Sequence, residues 1–140
     1  MKALLVPPHE VPSVWTEVKP LIDKALAHSP EGADANDMLR PIINGRCFLW
    51  IVVDGHDIES VCFGEFTEYP SKKGFHIHGW ATKSGHDFDL VMETFNDSVV
   101  KFAEVNGCDF IEAKIRKGLV KKLKTLNWND THSYATLTLR

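Results

Sequence analysis

His76 and His78 stand two residues apart in Phe75–Thr82, a run read as a strand. At that spacing two imidazoles point the same way, which is how a strand would offer a pair of ligands to a divalent metal. His86 follows nearby, but no third ligand is spaced to complete a site. The pair therefore reads as an exposed polar strand face, and no metal is expected. A second concentration of chemistry is basic: Lys114, Arg116, Lys117, Lys121, Lys122 and Lys124, with no acidic residue among them. It reads first as a solvated helix face. The sharper alternatives are an anion site for a phosphate-bearing ligand or a nucleic-acid contact. The block lacks interleaved aromatics, so nucleic acid is not the expected partner. Cys47, Cys62 and Cys108 lie in or beside apolar runs and cannot all pair, which points to reduced thiols in a cytosolic compartment. No nucleophile elbow, Ser-His-Asp order or P-loop glycine pattern is present.

The elements that must position these groups follow from periodicity and punctuation. Ala3–Val6 reads as a first strand, ended by Pro7-Pro8. Val14, Val18, Leu21, Ile22 and Ala25 recur at helical spacing after Pro12, and Pro20 should kink that helix or divide it. Asp34 or Asn36 can cap a second helix carrying Met38, Leu39, Ile42 and Ile43, ended by Asn44-Gly45. Cys47–Val53 is a continuous apolar run, as in a strand buried on both faces. Asp54-Gly55 turns into a longer strand, Ile58–Tyr69, in which Gly64 marks a bulge or close approach. In the next strand Phe75, Ile77, Gly79 and Ala81 should share one face, and His76, His78, Trp80 and Thr82 the other. A long helix over 88–106 carries the stripe Phe88, Val91, Met92, Phe95, Val99, Phe102 and Ala103. Phe110–Ile115 reads as a strand, Gly118–Trp128 as an amphipathic helix and Ser133–Leu139 as a closing strand.

A chain of 140 residues, 44% hydrophobic and 25% charged with a net charge of −3, is that of one ordinary globular domain spanning 1–140. No apolar run approaches the roughly 20 residues of a membrane span. The first residues are too quickly broken by proline to form a secretory signal.

The order strand, helix, helix, three strands, helix, strand, helix, strand resembles the N-acetyltransferases of the GNAT superfamily over nearly the whole chain. Local echoes are Gly107-Cys108-Asp109 before the fifth strand and Leu126-Asn127-Trp128, where the family commonly has Leu-Gly-Phe. More narrowly, Trp15, Pro20, Gly107-Cys108-Asp109 and Arg116-Lys117-Gly118 resemble patterns in small GNAT-like proteins of tailed bacteriophages and prophages. The resemblance implies an α+β fold, with a mixed central sheet of about six to seven strands flanked by about four helices. It also implies acetyl-coenzyme A as cofactor, inserted where the fourth and fifth strands splay apart.

By the same resemblance the pyrophosphate loop falls on Lys83, Ser84, Gly85, His86 and Asp87, ahead of the long helix. Small residues there let backbone N–H groups and the helix N-terminus hold the anion. Gly85 fits that pattern, and Lys83 could supply the basic first position. Asp87 departs from it, because a carboxylate occupies the N–H groups itself and repels pyrophosphate. The family's tyrosine acid aligns with Leu123, leaving Tyr134 as the nearby tyrosine in sequence. Glu65, Glu68, His76 and His78 are the candidates for a base that deprotonates an ammonium substrate.

Two readings follow. In the first, Asp87 and Leu123 mark a degenerate site that binds acetyl-coenzyme A weakly or not at all. The protein then works through contacts with a phage or host protein, as a virion or assembly component or a host- or defence-directed factor. In the second it is an active acetyl-coenzyme A-dependent N-acyltransferase acting on an amine. A homodimer through sheet edges or the closing strand fits either reading. The expected location is the cytoplasm, that of the host cell for a phage product, or the virion.

Overall fold

The computed structural model describes residues 1–27, 32–83, 88–115, 117–132 and 135–139, with only the backbone of Lys117. The strands are β1 (Lys2–Leu5), β2 (Phe48–Asp54), β3 (Asp57–Glu68), β4 (Lys73–Thr82) and β5 (Phe110–Ala113). They form one sheet in the order β1-β2-β3-β4-β5, antiparallel up to β4 and parallel between β4 and β5. The helices are α1 (Val11–Leu26), α2 (Ala35–Ile43), α3 (Phe88–Val105) and α4 (Lys117–Lys124), with a short 3₁₀ turn at Pro8–Glu10. The mixed α+β architecture is as expected from sequence, but the sheet has five strands among the described residues rather than six to seven. The missing element is the closing strand. Residues 135–139 alternate as a strand should, yet they are unpaired, with Leu137 and Leu139 exposed. Alternation reports an amphipathic segment and not the presence of an edge to pair with.

The sheet separates two apolar layers. On one face Val11, Val18, Leu21, Ile22 and Leu26 of α1, with Ile42 of α2, pack on Leu49, Ile51, Val61 and Phe63. On the other, Val91, Phe95, Val99 and Ala103 of α3 pack on Trp50, Val52, Cys62, Phe75 and Ile77. β2 thus sends alternate residues into both layers, as its unbroken apolar run requires.

Helix α1 is one helix and is not divided at Pro20. Pro20 and Thr16, whose carbonyl loses its partner, both lie on the exposed side, where water satisfies the freed group. Asp34 caps α2: its side chain accepts from the Asp37 N–H, and the Asp37 side chain accepts from the Asp34 N–H, a reciprocal capping box. Asn127 takes the left-handed conformation after α4, at φ 68°, where glycine commonly stands.

The facing of β4 differs from simple alternation. Phe63 pairs with Gly79, but Gly64 pairs with Ile77, so β4 carries one extra residue, His78. This β-bulge flips the face of everything after it. Phe75 and Ile77 point to the α3 layer, whereas Ala81 belongs to the α1 layer and Trp80 packs with α3. Gly79 lies under α1, and a Cβ there would come within 2.3 Å of the Phe63 ring and 3.0 Å of Ala25 Cβ. The glycine is required chiefly by the Phe63 ring of the neighbouring strand, with Ala25 of α1 close behind it.

Candidate functional site

The register across β3, β4 and β5 sets Glu65 opposite His76 and His76 opposite Glu112. Neighbours across strands share a face, so these three side chains form one polar row. His78, two residues along the strand and just before the change of face, lies on the same side, with its ring centroid 5.0 Å from that of His76. Together with Thr67, Tyr69, Ala113 and Lys114 they line an open groove of about 380 Å³. It lies on the sheet face that carries α1, beyond the cover that α1 gives to Phe63 and Gly79.

The groove contains two carboxylate–imidazole pairs. His78 Nε2 is 3.1 Å from Glu65 Oε1, and the Arg46 guanidinium approaches Glu65 Oε2 at 3.5 Å. His76 Nδ1 is 3.3 Å from Glu112 Oε1. That oxygen also accepts from the Tyr69 hydroxyl at 2.6 Å and the Thr67 hydroxyl at 3.4 Å. Both pairs are partly exposed, so a ligand can reach them while water remains partly excluded. Burial, then the nearby His78, pushes the His76 imidazole below its ordinary value against the opposing pull of Glu112, which keeps the ring neutral at pH 7. The hydrogen bond to Glu112 raises the Tyr69 hydroxyl, so it stays a proton donor. Behind Glu65 the Cys47 thiol is pushed up to about 12, chiefly by burial, and is inert.

The depressed His76 value has a consequence for folding. The folded protein binds this proton less readily than the unfolded chain, so stability present above pH 6.5 is lost as pH falls from there through the lower folded value. His76→Gln should flatten the stability profile in that window. The check is the difference in urea midpoint between wild type and variant from pH 7.5 down to about 5.

The parallel ladder between β4 and β5 ends at Ile77 and Ala113, whereas β4 continues to Thr82. His78 is therefore the first β4 residue past the ladder, at the mouth of the expected splay. Trp80, two residues on, buries its Nε1 without a hydrogen-bond partner among the described residues. A buried donor without an acceptor is what a carbonyl-bearing ligand would satisfy, and a thioester cofactor fits that environment. Of the residues the resemblance assigns to pyrophosphate, Lys83 is exposed and its backbone N–H bonds the Glu59 carbonyl. Ser84, Gly85, His86 and Asp87 lie outside the described residues, as does Tyr134.

The other sequence candidates are dispersed. Glu68 pairs in register with Lys73 at the far end of β3, on the face opposite Glu65. Leu123 is 1% exposed, a core residue. In the basic block, Lys122 pairs with Asp89 in the first turn of α3 and lies over the Phe88 ring, which ties α4 to α3. No group of histidine, cysteine or acidic residues able to hold a metal occurs among the described residues. No described helix is long and apolar enough to cross a membrane. Glu112 and Tyr69 are members of the groove that were not singled out from sequence. The signal for Glu112 was its place, two residues into a short apolar strand that borders the histidine strand.

No protein-family model and no curated protein sequence matches the chain. Solved structures do. A probable acetyltransferase superposes with a TM-score of 0.77 at 8% identity, covering 100% of this chain and 98% of that one. An aminoglycoside acetyltransferase from an uncultured soil metagenomic sample, in complex with sisomicin, gives 0.70 at 12% identity, covering 98% and 96%. A predicted acetyltransferase from Clostridium acetobutylicum, solved with acetyl-CoA, gives 0.68 at 15% identity, covering 99% and 96%. The chain shares the fold of these acetyltransferases.

Proposed function

We propose that this protein is an N-acyltransferase that takes its acyl group from acetyl-coenzyme A and places it on an amine bound in the β3–β4–β5 groove. The observation that carries the reading is the position of the Glu65–His78 pair. It stands at the first residue where β4 leaves β5, in a fold shared with acetyltransferases. Bound acetyl-coenzyme A supplies an activated acyl thioester; Trp80 and the end of β4 would face it. His78 takes the proton that the ammonium must lose before its nitrogen becomes a nucleophile, and Glu65 orients the imidazole and stabilises its charged form. Arg46 holds Glu65 from the other side. The loss of a tyrosine at Leu123 is tolerable, because a thiolate with a pKa of about 8.5 is protonated by water at neutral pH.

A second reading, action through contacts with a phage or host protein after acetyl transfer has been lost, is favoured by Leu123, which is buried in the core and offers no proton. One experiment separates the two. Acetyl-coenzyme A is titrated calorimetrically, and thiol release is then followed with a panel of amines. Saturable binding with amine-dependent release is the expected result. Absence of both would refute transferase activity and leave the second reading.

A further inference from the structure

The two carboxylates of the groove are not equivalent. Glu65 already has a cation, the Arg46 guanidinium at 3.5 Å. Glu112 is held by neutral donors, the hydroxyls of Tyr69 and Thr67 and the ring of His76, all on Oε1. It is therefore a fixed anion with its charge uncompensated by these partners. Its side chain is 33% exposed, so it is reachable from the groove. Glu65 and Glu112 flank β4, two strand spacings of about 4.8 Å apart, and His76 and His78 lie between them. A groove of about 380 Å³ is of the size that takes a small molecule.

We propose that Glu112 is the counter-charge for a second cationic nitrogen on the acceptor, so that the groove selects small aliphatic diamines over monoamines. This rests on the reading of the groove as the acceptor site. One nitrogen loses its proton to the Glu65–His78 pair while the other keeps its charge and donates to Glu112. Neutral His76 lets this happen, since an imidazolium in its place would have filled the carboxylate's need for a cation. The Tyr69 and Thr67 hydroxyls hold Glu112 in place before any ligand arrives, which lowers the ordering cost of binding. Lys114 lines the same groove and opposes cations in general, so the preference depends on direct contact with the carboxylate.

The test compares putrescine with butylamine, which have the same carbon chain and differ in one terminal amine. A charge-assisted hydrogen bond predicts a kcat/KM ratio of about 10–100 in favour of the diamine. In Glu112→Gln the ratio should collapse towards unity, and Tyr69→Phe, which frees the carboxylate without removing it, should lower it in part. In parallel, the His76 and His78 ring resonances are followed by NMR without acetyl-coenzyme A. Putrescine should shift them saturably in wild type and not in Glu112→Gln. If neither amine is acetylated but the shifts behave this way, Glu112 keeps its role and the transferase reading fails. Equal kcat/KM for the two amines, a ratio that survives in Glu112→Gln, or no saturable shift together with no turnover would each overturn the proposal.

Discussion

Glu65→Gln lowers kcat/KM for amine acetylation by about 10²–10⁴-fold, the range for losing general-base catalysis, because His78 loses the carboxylate that orients and supports it as the base. The substitution keeps the side chain's size and its place beside Arg46, and removes the charge that His78 needs when it takes a proton. Affinity for acetyl-coenzyme A, measured by calorimetry, should be retained, because Glu65 lies on the groove side of the sheet and not at the expected cofactor loop. His78→Gln should fall in the same range. The double variant should be little worse than either single one, since two residues acting as a unit lose their common effect once. A fall of only a few-fold in Glu65→Gln, with a large one in His76→Gln, would move the proton transfer to the neighbouring His76–Glu112 pair.

Much of the scaffold behind that prediction was legible in the residues. The unbroken apolar run before Asp54 could only be a strand covered on both sides, and β2 is one. The α3 stripe was readable because burial on one helical face repeats every 3.6 residues, and Val91, Met92, Phe95, Val99 and Ala103 are buried. Gly64 signalled an irregularity, and the register shift sits at that residue. Its side effect on β4 was not readable. Alternation presumes an unbroken ladder, and a bulge costs only one residue of register while exchanging every face beyond it. His78 itself keeps the face that alternation gives it, beside His76, and meets Glu65 there. The tail, Ala135–Leu139, shows the converse limit: local pattern names a preference, and pairing needs a partner strand that sequence does not display.

The candidate site was half visible for a related reason. Glu65, His76 and His78 attracted attention as titratable groups in the middle of strands. Glu112 is far from them in sequence, and only the parallel register of β5 against β4 brings it in; Tyr69 lies just past the end of β3 and joins the groove through its hydrogen bond to Glu112. A parallel pair is joined through a long crossover, here α3, so its register has no turn to announce it. Glu68 looked equivalent to Glu65 from sequence, but three residues along a strand is an odd step, and odd steps change face.

Trp50→Ala should destabilise the protein by about 3–5 kcal/mol, the cost of deleting a large aromatic from a core that refills poorly. Trp50 is 1% exposed and sits on the α3 face of β2, edge-on to Phe75 at 5.5 Å and to Phe102 at 5.1 Å. Phe48, Phe66, Phe75 and Phe102 also touch one another, so the rings form one cluster braced by several edge-to-face contacts. Removing the central indole leaves a void these rings cannot fill without breaking that packing. Against a typical total of about 5–15 kcal/mol, the loss brings the domain close to its unfolding threshold. A urea titration read by circular dichroism would show it as a lower midpoint with an unchanged slope. The groove lies on the opposite face of the sheet, so in the cold, where the variant remains folded, putrescine should still shift the His76 and His78 ring resonances. Loss of that response in folded Trp50→Ala would mean that the two faces of the sheet are coupled through β4, and that the aromatic layer helps to hold the histidine row in register.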